Sequence, residues 1–395
     1  MKKLAKILII VVIFALFTLP VAAKGSADDY ISDFGEILPE GFEGFSEPEK
    51  LCELVGLDAL ISLLYSAVTD NGGAILSLLL LLLGATALSY LASVLANLLR
   101  PVIVPVFAFL GADPAMFAGT ILACDMGGGA LAQELTADPQ AALLGGVITG
   151  SMLGATIVFT IPVAMGILHE RDRASLAKGI LCGIVTIPVG VLAGGLTAGF
   201  PVMMILRNLI PIVIIGALIA LGLWKAERWM IKGFGIFGKG VVAVITVGLA
   251  AAVAESLTGI VIIPGMAPIS EGFETVGAIA IVLAGAFPLV YVVTKLLKRP
   301  LLKLGGLLGI NDTAAAGLVA SLANSIATFG LVKDMDDRGK VVNIAFAVSA
   351  AFVFGDHLGF TAGFAPEMML SMIVGKLAGG ISAVAVALWL TRKKR

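Results

Sequence analysis

The sequence predicts an all-α polytopic membrane protein, and three observations carry that expectation. Hydrophobic residues fill 59% of the 395 positions and charged residues only 13%, where a soluble domain carries about 25% charged residues. So few charges cannot cover the surface of a water-soluble chain of this length. Apolar runs long enough to cross a hydrocarbon core, about 20 residues, recur at 74–99, 141–168, 201–224, 276–293 and 369–390. The 48 glycines suit close helix packing in a bilayer, and no alternating pattern of a membrane strand is present.

In chain order, Lys2, Lys3 and Lys6 precede the apolar stretch 7–19, and Val21-Ala22-Ala23 resembles a small-residue cleavage site. Residues 1–23 therefore read as a signal-like segment or as a first transmembrane helix. Residues 24–73 follow as an acidic extracytoplasmic or linker segment with an amphipathic helix, carrying Asp28, Asp29, Asp33, Glu36, Glu40, Glu43, Glu47 and Glu49. Nothing in it suggests catalysis. The membrane part divides into a first repeat over 74–254 and a second over 255–395. Cys52, Cys124 and Cys182, odd in number and without paired spacing, imply neither a disulfide framework nor a metal site.

Basic residues set the topology. Loops expected at 169–178, 224–240, 295–303 and 333–340, with the tail Arg392-Lys393-Lys394-Arg395, hold 18 of the 26 Lys and Arg residues. The intervening loops 134–141 and 255–274 hold none. Cytoplasmic loops are enriched in Lys and Arg, so the C-terminus is expected inside. Topology also accounts for the basic tail without a nucleic-acid partner. If 24–50 lies outside, the helix at 74–99 runs the wrong way for the later loops; 51–68 could supply the missing crossing, although Glu53 and Asp58 weaken it.

Two segments align without a gap at an offset of 198: Leu110-Gly111 with Leu308-Gly309, Ala118-Gly119 with Ala316-Gly317, Asp138 with Asp336, and Ser151 with Ser349. Arg100-Pro101 and Arg299-Pro300 match with one residue of slippage, each expected to break a helix. The interrupted middles, 101–133 and 300–332, suit re-entrant or broken hairpins, because irregular backbone at membrane depth is tolerated only inside protein or along a watery cavity. With the charge map, this gives about 9–11 transmembrane helices in two inverted repeats, an architecture of transporters. A channel or membrane enzyme could share it.

Intramembrane charges are costly and mark function by default. Asp125, Arg207, Asp356, His357 and Lys376 stand out. Both aspartates adjoin glycines that favour local unwinding, and they occupy opposed repeats where a shared cation site would form. Either could instead pair with Arg207 or Lys376, which read as structural charge partners. His357 could relay protons or simply donate a hydrogen bond. Asn324, Ser151 and Ser349 are further candidate substrate-binding residues, with Asn208, Asn343 and Thr156 weaker ones; Ser and Thr often bond only their own backbone. No Gly-Lys-Ser/Thr phosphate loop is present, which disfavours an ATP-driven pump. Two distant histidines give no His-based metal cluster. No cofactor and no catalytic residue is expected.

These residues also carry a resemblance. Met116-Phe117-Ala118-Gly119-Thr120-Ile121-Leu122-Ala123-Cys124-Asp125-Met126-Gly127-Gly128 resembles the hallmark of the ethanolamine-utilisation permease family, the EutH type. Gly150-Ser151-Met152, Thr156-Ile157-Val158-Phe159, Gly183-Ile184-Val185-Thr186-Ile187-Pro188, the run Ala345-Phe346-Ala347-Val348-Ser349-Ala350-Ala351-Phe352, Gly355-Asp356-His357-Leu358-Gly359-Phe360 and Ile373-Val374-Gly375-Lys376-Leu377 are similar too. The likeness runs from about 74 to 390 and leaves residues 1–73 outside. It implies uptake of ethanolamine, a small cation with a hydroxyl, across a bacterial inner membrane, by facilitated diffusion or proton coupling. The partners expected are then an ethanolamine-like small molecule and the lipid bilayer, with a homodimer left open. A membrane scaffold or sensor, or a channel, stands as the alternative.

Overall fold

The computed structural model describes residues 91–270, 277, 303 and 305–392, all within the second of two compact units, Leu83–Arg395. The signal-like segment, the acidic segment, the span at 276–293, the break at Arg299-Pro300 and most of the span at 74–99 lie outside the described residues. Among those described, every regular element is helical, and six helices are long and apolar enough to cross a membrane.

The first, α1 (Ala92–Phe109), runs straight through Arg100-Pro101 and Pro105. The expected helix break is absent there. Proline removes one backbone bond and crowds a carbonyl, but both prolines sit on the exposed surface of α1. Membrane helices tolerate that, and the Arg100 guanidinium donates to the Glu134 carbonyl.

Two seven-residue helices follow, α2 (Ala115–Ile121) and α3 (Gly129–Leu135), joined by a tight turn at Cys124–Gly128. At about 1.5 Å per residue each spans roughly 10 Å, half a hydrocarbon core at most. Asp113 closes the base of this broken hairpin: its carboxylate accepts from Ala115 N at 2.8 Å and from Thr136 Oγ1 at 2.8 Å. Its own N–H donates to Asn208 Oδ1 at 2.7 Å.

Asp138 caps the next helix, accepting from Gln140 N at 2.9 Å ahead of Pro139 at the first turn. That helix, α4 (Pro139–Ile167), is wide-wound over Leu144–Gly154 and Thr156–Thr160, a geometry that is rare and frequent at functional sites. Every residue of Leu144–Gly154 is buried. The glycines explain how. A Cβ at Gly154 would lie 1.8 Å from the Leu122 carbonyl oxygen, and one at Gly119 1.8 Å from that of Gly145, so α2 and α4 touch backbone to backbone.

Next come α5 (Glu170–Thr197), α6 (Val202–Ala226) and α7 (Arg228–Thr258). The basic loop expected at 224–240 is instead helical apart from one kink, at Ala226 (φ −142°, ψ 43°). Its charges ride on exposed helix surface: Lys225 Nζ lies 5.9 Å from the Trp224 ring centre and Lys232 Nζ 5.6 Å from that of Trp229. Long basic side chains can reach interfacial water from a helix end, so basic enrichment needed no loop.

A second broken hairpin pairs α8 (Asp312–Ala323) with α9 (Ser325–Leu331), the chain bending at Asn324. Asn311 caps α8 through Ala314 N at 2.9 Å, and Asn324 caps α9 through Ile326 N at 2.8 Å. The buried α10 (Asp337–Ala350), the short α11 (Asp356–Phe364) and α12 (Met369–Leu390) complete the chain. Helices α5, α10 and α12 pack on one another across glycine; a Cβ at Gly375 would meet the Gly190 carbonyl oxygen at 2.8 Å. Lys340 Nζ bonds the buried Asp172 carboxylate at 2.7 Å, pinning the start of α10 to the start of α5.

Candidate substrate site

The site forms where two unwound segments meet. In the first, Leu122 and Ala123 are extended, Met126 leaves helical geometry and Gly127 takes φ +86°, which only glycine adopts without strain. Met126 N and Gly128 N both turn back to the Ala123 carbonyl, at 3.1 and 2.9 Å. A Cβ at Gly128 would lie 2.6 Å from that same oxygen, so the turn closes only around glycine. Asp125 sits within it.

In the second, α10 ends at Ala350 and the chain loops through 351–355 before α11 starts at Asp356. Phe352 N donates to the Ser321 carbonyl at 3.0 Å and Phe354 N to that of Leu322 at 2.9 Å. The loop is thereby fastened to the last turn of α8. Asp356 falls in the first turn of α11, where the helix dipole favours an acid.

Between the two segments lies a small cavity lined by Ala123, Asp125, Met126, Ala155, Phe159, Phe352, Asp356 and His357. Both aspartates singled out in the sequence therefore share one cavity. The Asp125 side chain is 17% exposed, and its buried Oδ1 has no hydrogen-bond partner among the described residues. His357 Nε2 is 3.9 Å from that oxygen, too long for a hydrogen bond. A buried, unpaired acceptor is costly to leave unmet, and a cationic donor entering the cavity would meet it.

Lys376 does not bond either aspartate. Its Nζ donates to the Ser151 carbonyl at 2.5 Å and shares a hydrogen bond of 2.9 Å with His357 Nδ1. It thus reaches Asp125 only through the imidazole. Ser151 takes part through its backbone, while its hydroxyl bonds the Ile148 carbonyl at 2.9 Å. Ser349 is buried and packs against Gly379 outside the cavity lining, and its Oγ has no hydrogen-bond partner among the described residues. Asn324 serves as the α9 cap. Arg207 is exposed on α6, with no ion pair to either aspartate among the described residues. Asn208 braces Asp113, and Thr156 Oγ1 bonds the carbonyls of Met152 and Val348.

Phe159 and Phe352 line the cavity and were not marked in the sequence. Both lie inside motifs quoted above, but a phenylalanine in an apolar span carries no distinguishing signal. The fold also gathers donor atoms of Cys124, Asp125 and His357 within 4.8 Å of one another, a grouping not foreseen with only two histidines. The hydrogen bond with Lys376 occupies His357 Nδ1, which leaves Nε2 as the ring nitrogen facing Asp125.

A family model described as "Ethanolamine utilisation protein, EutH" matches residues 71–390. A protein of Listeria monocytogenes named "Probable ethanolamine permease EutH" is 62% identical over 303 residues, 77% of this chain and 81% of its own. A Salmonella typhimurium protein of the same name is 52% identical over 338 residues, 80% of this chain and 82% of its own. A Bacillus subtilis protein named "Uncharacterized protein YxeR" is 54% identical over 301 residues, 76% of this chain and 81% of its own. No solved structure matches. With its membrane-spanning helices and these relatives, the chain is a multi-pass bacterial membrane transporter, not an enzyme, and it belongs to the EutH family of ethanolamine-utilisation proteins.

Proposed function

We propose that the chain takes up ethanolamine or a similar small cationic amino alcohol, binding it between Asp125 and Asp356. The observation that carries this reading is the buried, unpartnered Oδ1 of Asp125 in a cavity that Asp356 also lines. Protonated ethanolamine offers an ammonium to the carboxylates and a hydroxyl to polar groups of the unwound segments. Charge-assisted hydrogen bonds of this kind are the strong ones. His357, held by Lys376, keeps its far nitrogen facing Asp125 and tunes the carboxylate without competing for the ammonium. The names of the relatives support the substrate.

Alternating access fits the element order. A broken hairpin followed by a buried helix occurs twice, as α2–α3–α4 and, with a shorter 14-residue helix, as α8–α9–α10; Asp138 and Asp336 each stand immediately before that helix. Both residues match at the offset of 198. We read the two copies as inverted repeats around a shared site, the arrangement by which one half rocks against the other. The distribution of basic residues supports a cytoplasmic C-terminus.

Uptake of labelled ethanolamine into vesicles tests the function. Saturable uptake by the wild type, weakened in Asp125→Asn and in Asp356→Asn, is expected. Undiminished uptake in both variants removes the site assignment, and ion conductance without saturable uptake replaces the transporter with a channel.

A further inference from the structure

We propose that Phe352, with Phe159 beside it, determines specificity by holding the charged end of a small protonated amine against its ring face by cation–π attraction. This rests on the substrate class proposed above and adds a second, non-ionic contact to the same site.

Three observations converge on this ring. Phe352 is the one non-glycine residue with positive φ, +62°, among the described residues. A bulky side chain in the left-handed region is unfavourable and persists only where surrounding structure enforces it, most often at functional sites. Here the enforcement is visible in the bonds to Ser321 and Leu322 and in the close seating of Gly355, where a Cβ would lie 2.2 Å from the Ala323 carbonyl oxygen. Glycine would fit the backbone at 352 without strain, so it is the ring that gives the position its use.

Phe352 as a residue is 4% exposed, and it lines the cavity with both aspartates. It sits 5.4 Å from Phe159, edge to face at 83°, and 5.3 Å from the His357 ring. Carboxylates alone attract any small cation. An aromatic face in the same cavity adds an attraction for an organic ammonium, a contact beyond charge alone.

The test is ethanolamine uptake by the full chain in vesicles, with phenylalanine at 352 replaced by mono-, di- and trifluorophenylalanine. Fluorine keeps ring shape while draining the face of negative potential. Apparent KM should climb stepwise along the series, and Phe352→Leu should raise it by roughly 2- to 30-fold at unchanged membrane abundance. Phe352→Gly, which relieves the backbone, guards against misfolding and should show the same rise in KM. A flat fluorinated series overturns the proposal. If that series is flat while Asp125→Asn still weakens uptake, only the aromatic contact falls; if the wild type shows no saturable uptake, both readings fall.

Discussion

Lys376 Nζ and His357 Nδ1 lie 2.9 Å apart, nineteen positions apart in the chain and both buried, so the imidazole meets Asp125 with its other nitrogen. A buried lysine is thus spent on orienting a histidine rather than on neutralising an aspartate. The Asp125 Oδ1 is left without a hydrogen-bond partner among the described residues, which suits a site for a cationic solute.

Removing that lysine tests the arrangement. Lys376→Met strands the Ser151 carbonyl and one face of His357, an expected loss of about 1–3 kcal/mol. A double-mutant cycle with His357→Ala should return a coupling of about 0.5–3 kcal/mol, read from thermal unfolding of the detergent-solubilised protein. Additive losses would show that the two side chains do not act together.

The Asp172–Lys340 pair is a second buried bridge, with side chains 3% and 11% exposed. Lys340→Met leaves the buried Asp172 carboxylate with only the exposed Arg171, 3.8 Å away, and should cost about 3–5 kcal/mol, while Lys340→Met combined with Asp172→Leu should recover much of it. Thermal unfolding of both variants checks this.

Glycine contacts give a prediction of opposite signs along one helix. Gly154→Ala drives a methyl into the Leu122 carbonyl and should destabilise by about 1–3 kcal/mol or more. Gly166→Ala in the same helix meets nothing within 4 Å and should stabilise by about 0.5–1 kcal/mol. Membrane yield and thermal unfolding report both.

Much of this was legible in the sequence because membrane burial writes itself in composition. The runs at 141–168, 201–224 and 369–390 became α4, α6 and α12, and glycines beside Asp125 and Asp356 marked the unwound backbone. Loops were less legible: Lys225 to Lys239 looked like one, yet exposed helix surface carries such charges equally well. Partnerships were least legible. That Lys376 binds Ser151 and His357, or that Phe352 turns left-handed over a cavity, depends on contacts between residues far apart in the chain.

Equilibrium binding of ethanolamine to the purified protein, wild type against Asp125→Asn, tests the unpaired carboxylate most directly. The wild type should bind saturably, and the variant about 10- to 100-fold more weakly, with ethylene glycol, which lacks the ammonium, failing to compete. Equal affinity in the two proteins would contradict the central role given to Asp125.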